Sequence, residues 1–274
     1  MADVPIDAVQ SASARAETAA VARPIVTRYS TFRVSELTGA DVLEELATRR
    51  TVLSRARSHL MVTPNMHHLA MLQSSETLAS AYADASMLLA DGWPVVRLAN
   101  ALGANVTERV TGSDIVGWLA DSDGAGRSIF IVGGSSPESM TAAKRRFLRS
   151  GWNVGANLAP ADWLADPANL DALSEQLDDE NPDIVLVGLG TPKQEIVAQY
   201  LRRGTSTSIF ICVGAGIDFL SGEKHRAPVW MQRAGLEWLH RIASEPGRLF
   251  RRYLNDVPLF FRVIRESKVA LRSR

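Results

Sequence analysis

The chain has 274 residues, of which 46% are hydrophobic and 22% charged; that apolar share supports one large α/β core, alone or with an appendage, and excludes wholesale disorder. Thirty basic and thirty acidic residues cancel, so a generic nucleic-acid binder resting on net charge is excluded and no nucleic-acid partner is expected. The single cysteine, Cys212, excludes an intramolecular disulfide framework and a cysteine-built zinc cage, and no run approaches about 18 apolar residues, so nothing is expected to span a bilayer.

Residues 1–24 are Ala-rich without apolar periodicity and lack the basic start and apolar centre of a signal peptide. They read as a disordered leader, with order beginning near Ile25. SHLMVTPN (58–65) reads as strand then turn, followed by a helix over 67–83, and SMLLADGWP (86–94) as a short strand ending in Asp-Gly. A helix over 113–120 precedes the buried strand SIFIVGG (128–134); 137–149 is helical and WNVGANLAP (152–160) is a further strand. A helix over 171–179 leads to PDIVLVGLG (182–190), and one over 193–203 leads to SIFICVGAG (208–216), where Cys212 reads as a small buried hydrophobe. From Val229 onward only helical patterns occur. Strands alternating with helices, the strands being continuously apolar, predict a mainly parallel Rossmann-like α/β sheet covered by helices on both faces. The domain spans 25–240. Nine basic residues against three acidic ones give the segment 241–274 a net +6 and leave −6 on the first 240 residues, so this stretch reads as a basic helical appendage.

The three strongest strands end in glycines: Gly133 and Gly134, Gly188 and Gly190, and Gly214 and Gly216. At the carboxyl edge of a parallel sheet such residues let backbone N–H groups approach a phosphate-bearing ligand, or simply serve tight turns. The dinucleotide fingerprint fails twice, because Lys193 and Phe219 stand where its third glycine belongs, which leaves an NAD(P)-dependent oxidoreductase as the alternative reading only. No GxxxxGK[ST], HExxH or GxSxG occurs. Asp121-Ser122-Asp123 is the only DxD weighed as a metal site, and its place before a strand makes it a surface turn. Asp91 closes a strand at the ligand-binding edge and is placed to take a proton from a hydroxyl, although on position alone an Asp-Gly turn chosen for its backbone is the stronger reading. Thr63 and Asn65 end the preceding strand and suit a sugar or base; Thr63 also suits a helix N-cap. His67 and His68 diverge by about 100° on a helix and cannot share one metal, so a surface or half-buried role is expected for each. The densest polar set is GEKHRAPxW (222–230) with GLEWLHR (235–241) and EPxR (245–248), followed by Arg251 and Arg252 among Phe250, Tyr253, Phe260 and Phe261. That pattern suits a diphosphate or an anionic membrane surface.

Together, DGWP (91–94), ERVTGSD (108–114), VGLGTPKQE (187–195), VGAGIDFLSGEKHRAPVW (213–230) and GLEWLHRIASEPGRLFRRY (235–253) resemble the WecG/TagA/CpsF glycosyltransferases, from about Val62 to Tyr253. The resemblance implies metal-independent, inverting transfer of N-acetylmannosamine or glucose from a UDP-sugar to a polyprenyl-diphosphate-linked acceptor, with no cofactor. It implies Asp91 as general base, Thr63 and Asn65 in the donor pocket, and Gln194 and Glu195 in the PKQE turn. Further substrate-contacting positions expected with it are Arg109, Gly112, Gly133, Gly134, Gly188, Gly190, Lys193, Gly214, Asp218, Arg226 and Glu237, with Arg241, Arg248 and Arg252 closing over the diphosphate from the appendage. It also implies a protein on the cytoplasmic side, peripheral at the inner face of the cell membrane through that appendage, and self-associating.

Overall fold

A short run of apolar residues that must be buried on both faces has one efficient solution, a central strand of a sheet covered by helices on each side. The computed structural model, which describes residues 23–48, 57–160, 166–244 and 246–270, is built this way. The six strands β3 (His59–Val62), β4 (Met87–Leu88), β5 (Ser128–Gly133), β6 (Asn153–Asn157), β7 (Ile184–Gly188) and β8 (Ile209–Cys212) form one sheet in the order β4-β3-β8-β7-β5-β6. Every pairing in it is parallel. An antiparallel ribbon, β1 (Ile25–Val26) with β2 (Thr31–Phe32), precedes it.

The side-chain alternation of each strand divides the core in two. Leu60, Val62, Phe130, Val132, Val185, Val187, Phe210 and Cys212 point into one layer. Met61, Ile129, Ile131, Ile184, Leu186, Ile209 and Ile211 point into the other. The first layer is covered by α2 (Met66–Met71), α3 (Glu76–Ala83), α4 (Trp93–Ala101), α7 (Pro167–Glu180), α8 (Lys193–Arg203) and the ribbon; the second by α1 (Gly39–Thr48), α5 (Gly112–Asp121), α6 (Pro137–Arg149) and α9 (Gly216–Ser221). The parallel Rossmann-like sheet read from the sequence is thus the observed fold. Cys212 is fully buried, and burial pushes its thiol well above the ordinary range.

Two differences have local causes. The single helix expected over 67–83 is two, because Gln73 and Ser74 fold back onto Ala70 O and Met71 O, and the Ser75 hydroxyl accepts from Leu78 N at 3.2 Å to start α3 afresh. The helix expected over 171–179 begins earlier, because Asp166 caps it by accepting from Ala168 N at 3.0 Å and Pro167 follows at its first position. The sequence reading did not anticipate the ribbon, α1, α4 or α9. The leader assigned to 1–24 lies almost wholly outside the described residues.

The C-terminal stretch forms α10 (Val229–Arg233), α11 (Glu237–Ser244) and the 24-residue α12 (Pro246–Val269). Helix α12 lies on α2 and β1 and is tied into the first core layer. Val263 is fully buried, with Phe260 and Ile264 beside it. Ser267 Oγ accepts from Val26 N at 2.9 Å, and Glu266 accepts from Gln73 Nε2 at 3.0 Å. Val263→Ala is expected to destabilise the protein by about 2 kcal/mol and Ser267→Ala by about 1 kcal/mol, both read by thermal unfolding; unchanged melting in the two variants would show that α12 does not stabilise the α/β core.

Candidate active site

Because every strand of the sheet runs the same way, their carboxyl ends converge on one edge, and an open cavity of about 740 Å³ lies there. Its wall combines the ends of β3 (Thr63, Asn65), β5 (Gly134), β7 (Gly188, Gly190) and β8 (Gly214) with Asp91 and with Gly112 at the start of α5. The glycines make this wall backbone. A Cβ on Gly112 would stand 2.6 Å from Val213 Cα, so only glycine lets α5 start against the end of β8. Gly214 has a φ of 54°, which favours glycine at this turn.

The turn after β3 is built around one amide. Asn65, rather than Thr63, caps α2, its Oδ1 accepting from His67 N at 3.0 Å and His68 N at 3.3 Å. Its Nδ2 lies 3.4 Å from Asp91 Oδ2, and Asp91 N donates to Pro64 O at 2.9 Å. The His68 ring closes a capping box, Nδ1 accepting from Asn65 N at 3.3 Å, which leaves Nε2 to donate to Glu195 Oε1 at 3.0 Å. Gln194 Nε2 donates to the same oxygen at 2.7 Å, and Gln194 Oε1 accepts from Gly214 N at 2.9 Å. Burial pushes the Glu195 carboxyl up, and the electrostatic attraction and hydrogen bond of the His68 ring, together with the Gln194 hydrogen bond, more than reverse this, holding it below its ordinary range.

Asp218, on α9, accepts from Ser135 N at 3.0 Å and Lys224 Nζ at 2.8 Å at the cavity wall. Burial raises its carboxyl, and Lys224 and Ser135 more than offset that, so it too stays below its ordinary range.

A second cavity, of about 310 Å³, adjoins the first and is lined by Trp93, Pro94, Trp238, Tyr253 and Val257. Asn65, His67, Asp91 and Arg252 border both cavities. Asp91 therefore stands at the junction of a polar cleft and an aromatic one. Arg109 Nη1 lies 3.9 Å from Asp91 Oδ1 and 2.9 Å from Glu237 Oε2, both at the second cavity. Helix α12 closes the junction: Asp256 holds His67 Nδ1 at 2.8 Å and lies 4.0 Å from Arg252 Nε.

The chain matches the Glycosyl transferase WecG/TagA/CpsF family over residues 28–274. It belongs to that family. The match extends past the motifs that suggested it, which end at Tyr253, and takes in all of α12. A glycosyltransferase acts on a sugar donor and a glycan acceptor, and the oxidoreductase alternative falls with this assignment.

Of the positions expected at the site, Thr63, Asn65, Asp91, Gly112, Gly134, Gly188, Gly190, Gln194, Gly214, Asp218 and Arg252 line the larger cavity, and Arg109 and Glu237 the smaller. Gly133 is buried one residue short of the cavity, where a Cβ would stand 2.7 Å from Gly188 O. Lys193 is exposed at the start of α8, and Glu195 is wholly buried behind Gln194; neither lines a cavity. Arg226 is held by Asp114 at 2.7 Å, away from both cavity walls. The side chains of Arg241 and Arg248 lie outside the described residues. Asp121 pairs with Arg146 and Asp123 accepts from Ala125 N at 2.9 Å, so the DxD is a turn before β5, at the opposite edge. Sequence reasoning did not single out Asp114 or Asp256, and it placed His68 at or near the surface, whereas the ring is buried because both its nitrogens are tied into the cap and to Glu195. Asn65 before an apolar helix is itself an N-cap signal, although the His68 partner is not the Glu or Gln of the usual capping box, and Asp256 is the one acidic residue between Arg251 and Arg265.

Glu195 and Asp218 have carboxyls lowered in the fold, so the stability they contribute is complete above the ordinary carboxylate range, near pH 4, and is lost as pH falls below it through the lowered values. Thermal unfolding followed downward from pH 6 is expected to show a drop in melting temperature that is shallower in Glu195→Gln, which also melts lower at pH 7. An equally steep acid drop in Glu195→Gln and in Asp218→Asn would place its source elsewhere.

Proposed function

We propose that this protein is an inverting UDP-sugar-dependent glycosyltransferase that moves N-acetylmannosamine or glucose to a polyprenyl-diphosphate-linked acceptor in cell-surface polysaccharide synthesis. The observation that carries the reading is the position of Asp91 on the wall shared by the two cavities. The larger, glycine-walled cleft takes the sugar nucleotide, with its diphosphate against backbone N–H groups. The aromatic cleft takes the acceptor. Asp91 accepts the acceptor hydroxyl proton while that oxygen bonds to the anomeric carbon, and the bond from that carbon to the diphosphate oxygen breaks on the opposite face. The departing UDP gains charge, which Arg252 at the cavity junction and the backbone donors offset. Thr63 and Gln194 orient the donor; Asn65 orients Asp91.

The outer face of the C-terminal helices supports a membrane-held acceptor. Trp230, Trp238, Phe250, Leu254 and Phe261 are each between 46% and 65% exposed. Arg262, Arg265 and Lys268 accompany them on α12. Among the described residues no helix is long and apolar enough to cross a membrane. Apolar side chains entering the interface, with cations on anionic headgroups at about 1 kcal/mol each, suffice for peripheral attachment at the inner face of the cell membrane. The exposed apolar surface also suits self-association.

The test is UDP release from UDP-N-acetylmannosamine and UDP-glucose in the presence of a short-chain polyprenyl-diphosphate sugar. Asp91→Asn is expected to lower turnover by at least about a thousandfold with melting and UDP binding unchanged; near-normal turnover would remove Asp91 as the base. A chelator is expected to leave the wild-type rate unchanged, and strong inhibition would return attention to a metal site.

A further inference from the structure

Glu237, the first residue of α11, is a buried carboxylate shared by two guanidinium groups. Its Oε2 lies 2.9 Å from Arg109 Nη1 and its Oε1 lies 3.8 Å from Arg226 Nε, with 10% of the side chain exposed. Arg109 uses the same Nη1 to reach Asp91 Oδ1 at 3.9 Å, and Arg226 reaches Asp114 Oδ1 at 2.7 Å. Charges alternate along this line from Asp91 to Asp114: carboxylate, guanidinium, carboxylate, guanidinium, carboxylate. The middle member comes from the C-terminal helices, whereas Asp91, Arg109 and Asp114 belong to the sheet edge.

We propose that Glu237 is a positioning residue that keeps Arg109 on itself and thereby keeps Asp91 able to accept a proton. This rests on the reading of Asp91 as the base. A guanidinium closed onto Asp91 would stabilise its charged form and weaken it as an acceptor of the substrate proton. One at the outer limit of ion-pair distance, drawn away by a better-placed carboxylate, leaves Asp91 oriented and basic. Without Glu237, Asp91 is the acidic neighbour that Arg109 already touches. The arrival of α11 therefore does more than close the cleft. It sets the charge balance at the reacting group, and a chain whose C-terminal helices have not packed holds a muted base.

The other titratable or charged groups that line the cavities with Asp91 are His67 and His68 on α2, Asp218 on α9, Lys224 and His225 in the turn that follows it, His240 on α11 and Arg252 on α12, with Tyr82 on α3, Glu195 on α8 and Asp256 on α12 behind them. They are common to every variant below, so shifts are read against the wild type. The experiment uses the full chain and the UDP-release assay above, with kcat/KM followed against pH. In Glu237→Gln the acid limb is expected to move down by about one pH unit and the plateau to fall about tenfold, with the donor KM little changed. The Arg109→Gln/Glu237→Gln double variant is expected to return the limb to its wild-type position whatever its plateau, and Glu237→Asp to stay near wild type. An unmoved limb in Glu237→Gln, or a lowered limb that persists in the double variant, overturns the proposal. Should Glu237→Gln fail to fold by circular dichroism, Arg109→Gln alone decides: its limb is expected at or slightly above the wild-type position, and a lowered limb overturns the proposal. Retained transfer in Asp91→Asn instead sinks the reading beneath it, while loss of transfer there with no limb shift in Glu237→Gln sinks this inference alone.

Discussion

A parallel sheet delivers the carboxyl end of every strand to one edge, and nearly all else in this molecule follows from that constraint. Residues as distant in sequence as Thr63, Gly134, Gly188 and Gly214 meet there because their strands are neighbours in the order β3, β8, β7, β5. Much of the edge is main chain because β5, β7 and β8 run into glycines. Gly133 and Gly188 are register partners, packed so closely that a Cβ on the first would stand 2.7 Å from the carbonyl oxygen of the second. Side chains with chemistry then enter from the turns: Asn65 and Asp91 after the two strands at one side of the sheet, Gln194 after β7.

Those turns are fixed to one another by a buried polar network. Glu195 is fully enclosed, a position that would cost an isolated carboxylate several kcal/mol. It is kept ionised by donors from the turns after β3 and β7, and through Gln194 it reaches the turn after β8 as well. Its other oxygen, Oε2, is buried with no hydrogen-bond partner among the described residues, a cost of about 1–3 kcal/mol. Such an arrangement defines geometry more than it adds stability. Shifting the turn after β3 or β7 would strip a donor from a buried charge, and shifting the one after β8 would break the bond from Gly214 N to Gln194.

The alternation of apolar strands with helices, and glycines at the strand ends, made the sheet legible from sequence, because burial on both faces leaves a continuous apolar signal. WNVGAN was legible as a strand even at the sheet edge, where Gly155 sits against Phe130. The ribbon at Ile25–Phe32 was not, since its strands are two residues long and pair only with each other. Helix α4 was hidden by Trp93 and Pro94, which read as the end of a turn although Pro94 serves as a first-turn helix residue. At the site, residue types were legible while their partners were not. Arg226, Glu237 and Arg109 were all expected to touch substrate, yet the fold pairs them with one another and with Asp91 and Asp114. Pairing across 128 residues leaves no trace in local spacing.

The C-terminal helix carries two stripes, each at helical spacing. Asp256, Phe260, Val263 and Ser267 face the α/β core, while Phe250, Leu254 and Phe261 face away from it. The stripes are offset by one residue, about 100° around the helix. In the proposed reaction this offset has a consequence. A helix that had to peel off the core to enter a lipid surface would carry Asp256 and Arg252 away from the cavity junction just as the acceptor arrived. With separate stripes the outer one can enter the interface while the inner one keeps its contacts. The exposed apolar surface and the wall that closes the cleft are two sides of one element, so attachment as proposed does not compete with the closed site.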